Sequence, residues 1–294
     1  SAAAPAAAAA EASTPAATSE AAGEAPSGPC PEGMVLVEGG SFFMGVDSPD
    51  PTLEAAGPAH SVEVAPFCLD RHEVTVAEYH GCSDKGECKR AYQKSHWAEG
   101  ERKVAAEAYA ALCNEAREGV DDHPINCVDW HEADAFCRWR GARLPTEAEW
   151  ERAARGGEGR PHPWGEGALG PERLNACGSE CLAWFRRNKI GLEQGMFPAS
   201  DGYVETAPVG SFAEGQGVGG LDDLVGNVAE WTSDDFAAYP GGRVEAARGV
   251  KAVRGASFHS ASEGEADPGF RRGVPQGYHP HDVGFRCAAP PRSG

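Results

Sequence analysis

The stretch Ala142-Arg-Leu-Pro-Thr-Glu-Ala-Glu-Trp-Glu151 carries the clearest helix-start signal in this chain. Thr146 is followed three residues later by Glu149, which is the spacing of a capping box, in which each side chain bonds a backbone N–H at the helix start. Gly156-Gly157 predicts where the helix ends, because glycine readily adopts the conformation that terminates helices. The segment therefore predicts a short helix with both ends specified locally.

Two other segments of the sequence carry comparable helix-start signals. Thr75 and Glu78 have the spacing of a second capping box, and Asp129 precedes a run with helical periodicity that Gly141 should stop. Residues 103–113 predict a fourth helix. Alternating or apolar runs predict short strands at Met34–Val37, Ser41–Met44 and Ser61–Val64. From about residue 160 onward we expect loops with short strands.

Composition and charge narrow the classes of function. The chain has 294 residues with 38 Gly and 22 Pro, so long regular elements are not expected. No apolar run is long enough to span a membrane. A formal charge of -19 disfavours nucleic acid and bare anionic membrane as partners. No heptad or broad apolar stripe indicates an obligate dimer, so we expect a monomer.

The ten cysteines indicate an oxidising compartment. Residues 1–29 consist largely of Ala, Pro, Ser, Thr and Glu, and they predict a disordered tether ahead of a domain over 30–290 and a short tail over 291–294. A secreted or periplasmic protein, held through this tether to an anchor or a neighbouring domain, fits both features. A tether without any role is the alternative.

Several motifs together resemble the formylglycine-generating-enzyme (sulfatase-modifying-factor) family. Besides residues 142–151, the resemblance rests on Leu224-Val-Gly-Asn-Val-Ala-Glu-Trp231, Val283-Gly-Phe-Arg-Cys287, Asp70-Arg-His-Glu-Val-Thr75, His123–Trp130, Pro163-Trp-Gly165 and the opening Met34–Gly45. They follow the family order across about residues 30 to 290. The resemblance implies an irregular α+β fold related to C-type lectins, disulfide-rich and poor in regular secondary structure.

The resemblance also implies a long-range disulfide between Cys137 and Cys287. Spacing pairs the remaining cysteines as Cys30–Cys68, Cys82–Cys88, Cys113–Cys127 and Cys177–Cys181. The loop that the Cys137–Cys287 bond would close is long, and closing it stabilises a loop-rich domain by at most about 5 kcal/mol.

Family members hold two structural calcium ions, and the matching positions imply two sites here. One would use the side chains of Asn175 and Asp201 with the backbone oxygens of Ala176 and Tyr203. The other would use Asp223 and Glu230 with the backbone oxygens of Gly226 and Val228. Carboxylate, amide and carbonyl oxygens are the ligands that calcium prefers. Ordinary turns at these positions are the alternative.

The family enzyme oxidises a cysteine of a client sulfatase and needs two cysteines that bind copper(I). In the matching turn of this chain, Ser260 and Glu265 occupy the two cysteine positions. Copper(I) prefers soft thiolates to oxygen ligands. Formylglycine generation by this chemistry is therefore not expected.

Three hypotheses of function follow. The first is a non-catalytic binding or scaffold module for a protein, peptide or glycan, in which Trp164, Trp184, Phe185 and Tyr278 line a groove or belong to the core. The second is an iron- or copper-dependent oxidase or hydroxylase whose metal is held by His259, His279 and His281; this requires the three imidazoles to converge. The third is a sulfatase-maturation partner that binds such clients without oxidising them. The first hypothesis is preferred, and the sequence does not name the ligand.

Overall fold

A computed structural model of the chain describes residues 30–96, 103–245 and 247–292. The predicted tether, residues 1–29, lies outside this part. Within it, nine short strands form three sheets. The strands are β1 (Met34–Val37), β2 (Gly40–Met44), β3 (His60–Val64), β4 (Phe67–Asp70), β5 (Ala229–Asp235), β6 (Val250–Arg254), β7 (Arg271–Pro275), β8 (Val283–Gly284) and β9 (Ala288–Ala289).

The sheets have the orders β1-β4-β9, β2-β3 and β7-β6-β5-β8. Only the β5–β8 pair is parallel, with Ala229 opposite Val283. The helices in the described part are α1 (Val76–Ser83), α2 (Lys103–Ala110), α3 (Trp130–Trp139), α4 (Glu147–Arg155) and α5 (Ser179–Arg187). With helices of at most ten residues and long connections, this is the irregular α+β architecture that the sequence predicts.

The predicted capping boxes are confirmed at α1 and α4, and the predicted start of α3 at Asp129 is confirmed by a third capping box with Glu132. At α4 the Glu149 backbone nitrogen donates to Thr146 Oγ1 at 3.1 Å, and the Thr146 nitrogen donates to Glu149 Oε2 at 2.8 Å. Gly156 follows with φ 63°, a value that glycine adopts without strain, and it ends the helix as predicted.

The expectation of loops and short strands after residue 160 is wrong at α5. This helix begins after Gly178, which supplies no side-chain cap, so the sequence carries no start signal there. Its inner face buries Trp184 and Phe185. Burial of these aromatic side chains stabilises a helix that local propensity does not specify.

Two main clusters of buried residues make up the core. One packs α1 and α3 against the four-stranded sheet through Tyr79, Phe136 and Phe285. The other packs α4 against the β2–β3 sheet through Trp150 and Phe42. Within the described residues, no helix has the length and apolar character needed to cross a membrane.

Five disulfides join Cys30–Cys68, Cys82–Cys88, Cys113–Cys127, Cys137–Cys287 and Cys177–Cys181, the five pairs expected from the sequence. No cysteine is left free. The Cys137–Cys287 bond links α3 to the turn before β9 across a sequence separation of 150 residues. It therefore closes most of the domain into one loop.

Candidate functional site

A cavity of about 200 Å³ lies where several chain segments meet beside β6 and β7. We call it the central pocket. Tyr109 reaches it from α2, Phe185 from α5, and Arg272 from β7. The other lining residues are Ser257, His259, Ser260, Glu265, His281 and Asp282. The pocket thus contains Ser260 and Glu265, the two residues that the family resemblance matches to the enzyme's cysteines.

Ser260 and Glu265 are bonded to each other in this pocket. The serine Oγ donates to Glu265 Oε1 at 3.2 Å. Glu265 Oε2 accepts the backbone N–H groups of Ala261 and Ser262, each at 2.9 Å. This carboxylate therefore orders the 3₁₀ turn Glu263–Ala266 as well as facing the cavity.

Two of the three candidate metal-binding histidines are in direct contact. His259 Nδ1 lies 2.9 Å from His281 Nε2, and His281 Nδ1 lies 3.2 Å from Ser95 Oγ. Burial lowers the pKa of His281 to about 4, and burial together with His281 lowers the pKa of His259 well below its usual value. Both rings are therefore neutral near pH 7. His259 Nε2 is buried and has no hydrogen-bond partner among the described residues.

His279 lies apart from this pair. Its Nδ1 donates to the Lys94 carbonyl at 2.7 Å, and its ring stacks on Tyr92 with centroids 3.7 Å apart. Its backbone pairs with that of His96. The structure thus brings His259 and His281 together and places His279 elsewhere. In the described residues there is no group of three or more His, Cys, Asp or Glu arranged to hold a metal ion.

Asp282 is the second polar group of the pocket with an atom that none of the described residues bonds. Its Oδ2 accepts from Arg272 Nη2 at 2.7 Å and from Ser257 Oγ at 3.2 Å, whereas no described residue bonds its buried Oδ1. Burial alone would raise the pKa of Asp282, but Arg272 and the two histidines more than offset this, so the pKa lies below its usual value. The carboxylate is ionised at neutral pH.

Aromatic rings form the walls around the two histidines. Tyr109 stacks on His281 with centroids 4.1 Å apart and an interplanar angle of 8°. Phe185 and Trp184 lie 4.8 and 5.1 Å from the His259 ring. Of the four aromatics singled out in the sequence, Phe185 lines the pocket and Trp184 supports it from behind. Trp164 and Tyr278 pack beside other residues, His162 and His96.

The residues of the first expected calcium site converge. Asp201 accepts the Ala176 N–H on Oδ2 at 3.0 Å and the Tyr203 N–H on Oδ1 at 2.9 Å. Burial raises the pKa of Asp201 to about 7. Asn175 donates through Nδ2 to the Glu205 carbonyl, while its buried Oδ1 has no partner. An unpaired amide oxygen near a half-buried carboxylate fits a cation with oxygen ligands.

The second expected site has a different character. Both oxygens of Glu230 accept from Arg286 Nε at 2.9 Å, and Oε2 also accepts from Trp150 Nε1. Asp223 Oδ2 accepts the Gly210 N–H at 2.6 Å, and burial raises the pKa of Asp223 to about 6. Glu230 is thus engaged by an arginine, so the expected ligand set fits a cation less well here than at the first site.

Glu73 is a residue that the sequence interpretation missed at this second site. Its Oε1 accepts the Val228 N–H at 3.4 Å, and its Oε2 is buried without a partner. Burial, and then the neighbouring Asp223, raise the pKa of Glu73 well above its usual value. The motif Asp70–Thr75 contains Glu73, but only the fold brings it to Val228.

No sequence signal identified two residues that contact His281: Tyr109, which lines the pocket, and Ser95, which does not. They lie in the weakly patterned region between α1 and α3, outside every recognised motif. Their contacts with His281 join positions 186 and 172 residues apart, so chain topology alone produces them.

A larger, open cavity of about 640 Å³ lies between the loops 46–58 and 241–243. Its carboxylates Asp47 and Asp50 already accept backbone N–H groups, from Ala59 at 3.1 Å and from Thr52 at 2.9 Å. The central pocket is the stronger candidate, because it holds buried polar atoms without partners.

Comparison with known proteins connects this pocket to a family. The sulfatase-modifying factor enzyme 1-like domain matches residues 18–290. The inactive C-alpha-formylglycine-generating enzyme 2 of Bos taurus is 32% identical over 290 residues, covering 87% of each chain. A formylglycine-generating enzyme of Thermomonospora curvata is 33% identical over 310 residues, covering 88% of this chain and 94% of that protein. The solved structure of PvdO from Pseudomonas aeruginosa has a TM-score of 0.65 at 26% identity, covering 87% and 94% of the two chains.

Proposed function

This chain belongs to the family of sulfatase-modifying factor enzyme 1-like domains, and we propose that it is a non-catalytic binding module of that family. The observation that carries the proposal is the hydrogen-bonded pair Ser260–Glu265 in the central pocket. Copper(I) chemistry at this position calls for two thiolates, and a hydroxyl and a carboxylate are poor ligands for that ion.

The disposition of the cysteines supports the same proposal. All ten are paired in disulfides, so no other thiol is available to the pocket. Cys177 is adjacent, since its N–H donates to the Ser260 carbonyl at 2.9 Å, but its sulfur is bonded to Cys181 and is fully buried. Similarity to a protein named as an inactive formylglycine-generating enzyme is consistent with this proposal.

Calcium is proposed as a structural ion. The unpaired Asn175 Oδ1 beside Asp201 supports one site. The unpaired Glu73 Oε2 beside Asp223 supports a cation in the second region, with Glu73 added to the expected ligands because Arg286 engages Glu230. Bound calcium would neutralise carboxylates that burial disfavours in their charged form. A lectin-like presentation of loops on this frame is part of the proposal.

We propose an extracytoplasmic location, because five disulfides are stable in an oxidising compartment and are rare in a reducing one. A monomer tethered through residues 1–29 remains the expected arrangement.

The oxidase hypothesis has less support than the binding module. The oxidase hypothesis requires three converging histidines, but only His259 and His281 are in contact, through a hydrogen bond. His279 has other contacts. The maturation-partner hypothesis is a special case of the binding module. Binding of a cysteine-proline-arginine peptide without oxidation would favour it over a different ligand.

An oxidation assay tests the proposed function. Incubated with copper(I), oxygen and a cysteine-proline-arginine peptide, the natural protein should leave the peptide mass unchanged. A Ser260→Cys/Glu265→Cys variant, which places thiols where two bonded oxygens now lie 3.2 Å apart, should gain tight copper(I) binding. Conversion of the peptide cysteine to an aldehyde by the natural protein would overturn the proposal.

A further inference from the structure

We propose that the central pocket binds a primary ammonium group, either the lysine side chain of a peptide or a free alkylamine. The inference deepens the proposed function, because it rests on the pocket acting as a binding site. It combines an unpaired carboxylate oxygen, an unpaired imidazole nitrogen and two aromatic walls.

Asp282 Oδ1 supplies the first contact. Asp282 is only 7% exposed, and within the part of the chain that the structure describes this oxygen has no partner, although the carboxylate lines the cavity. Arg272 engages the other oxygen from one side. A buried anionic acceptor without a donor is costly, and a charged N–H donor from a ligand would satisfy it.

His259 Nε2 supplies the second contact. It accepts a hydrogen bond when Nδ1 carries the ring proton and donates it to His281 Nε2, 2.9 Å away. His281 then donates from Nδ1 to Ser95 Oγ, at 3.2 Å. The serine oxygen has a second lone pair for the His281 backbone N–H, at 3.1 Å. In this direction of the hydrogen-bonded chain, His259 Nε2 is left as an acceptor, and a ligand that donates satisfies it.

Charge and shape favour an ammonium ion over a neutral donor. Glu265 and Asp282 outnumber the single cation Arg272 among the lining residues. Tyr109 and Phe185 offer ring faces and edges beside the same space, and aromatic faces attract cations. A volume of about 200 Å³ holds the ammonium end and several methylene groups of a lysine side chain.

The test is calorimetric titration of the full chain, with calcium present, using n-butylammonium, tetramethylammonium, n-butylguanidinium and n-butanol. Histidine labelled with ¹⁵N reports whether His259 Nε2 becomes a hydrogen-bond acceptor. We expect n-butylammonium to bind at least tenfold more tightly than each of the other three, since only it combines the charge with a compact N–H donor.

Variants locate the site. Asp282→Asn should weaken n-butylammonium binding by about tenfold, and Tyr109→Leu by about fivefold. Glu263→Gln removes the same charge from the neighbouring exposed turn, so its effect should stay within twofold. If Asp282→Asn lowers the melting temperature strongly, Tyr109→Leu still tests the pocket, because it leaves the Asp282–Arg272 pair intact.

The outcomes separate the two proposals. Equal binding of tetramethylammonium or butanol, or equal weakening by Glu263→Gln, overturns the ammonium site. The ammonium site is also overturned if a neutral peptide or sugar shifts the His259 resonances and n-butylammonium does not. That result would leave the proposal of a binding module intact. Oxidation of the amine to an aldehyde with consumption of oxygen would support the assignment of a primary amine as the ligand. The same result would overturn the proposal that the protein is non-catalytic. If a lysine peptide binds tenfold more tightly than n-butylammonium, and acetylation of its lysine abolishes this gain in affinity, then the ammonium group that the pocket binds belongs to a peptide.

Discussion

At the scale of single residues, a network of buried ion pairs lies beside α4. Arg254 is fully buried and donates to Glu147 at 2.9 Å and to Glu151 at 2.5 Å. Arg271 contacts the same Glu147, at 2.8 Å from its Nε. The network joins α4 to β6 and β7, so it holds the strands that carry the pocket turn.

Removing one partner from this network should destabilise the domain strongly. Arg254→Met removes a fully buried arginine from Glu147 and Glu151, which keep Arg271 and Arg155 as their remaining partners, and we expect a loss of about 3 kcal/mol in the free energy of unfolding. Urea denaturation at pH 7 measures it. Arg138→Ala, which removes an exposed partner of Asp134 on α3, should cost at most about 0.5 kcal/mol. Similar losses in the two variants would contradict the argument.

The neutral His281 should make stability depend on pH. Its pKa is about 4 in the folded state against 6.5 when unfolded, so the unfolded chain binds the extra proton first as pH falls. This contribution is complete above pH 6.5 and is lost as pH falls to about 4. It amounts to about 3 kcal/mol at most.

The measurement compares urea unfolding at pH 7 and pH 5 for the natural protein and a His281→Asn variant. Between pH 7 and pH 5 the natural protein should lose more stability than the His281→Asn variant. Both proteins contain the same carboxylates that titrate in this range, so the difference reports His281. Parallel losses would show that folding does not lower the pKa of His281.

At the scale of elements, three helices are specified by their first four residues. Thr146→Ala removes the side-chain bond to the Glu149 N–H, and we expect it to cost about 1 kcal/mol. Ser61→Ala on the exposed side of β3 serves as the control and should change stability by less than about 0.5 kcal/mol. Thermal unfolding of both variants checks this, and an equal shift in melting temperature would rule out the cap as the cause.

The fifth helix shows the opposite case. Nothing at Gly178 caps α5, and the helix is held by Trp184, Phe185 and the Cys177–Cys181 bond beneath the pocket. Tertiary burial therefore decides this element, and it also delivers Phe185 to the pocket.

At the scale of the whole molecule, the disulfides differ in how much chain they close. Cys137–Cys287 spans 150 residues and Cys177–Cys181 spans four. Loop-closure entropy gives stabilisations of about 5 and 2 kcal/mol respectively. Replacing both cysteines of the long-range pair by alanine should therefore destabilise the protein more than replacing the short pair.

Denaturant unfolding of the two double variants, each with the other four bonds intact, measures this difference. All four cysteines are fully buried, so lost packing is comparable in the two cases. A larger loss from the short pair would mean that local packing under the pocket outweighs loop closure.

Calcium should act on the stability of the whole domain. We expect about two calcium ions per chain by elemental analysis, and chelation should lower the melting temperature by about 5 °C. Asp201→Asn should reduce the stoichiometry by one ion. Asp235→Asn, at an exposed carboxylate, should leave it unchanged. A metal-free protein with the same melting temperature would remove calcium from the proposal.

The sequence by itself determined the family, the three capped helices and the cysteine pairs, because each is encoded by residues at fixed short spacing or by motifs in a fixed order. It also indicated the turn with Ser260 and Glu265 as a candidate site. It could not determine that His259 contacts His281 while His279 lies elsewhere, nor that Ser95 bonds His281 and Tyr109 lines the pocket. These contacts join residues far apart in the chain, and they exist only because packing of α2, α5 and β5–β8 brings their segments together.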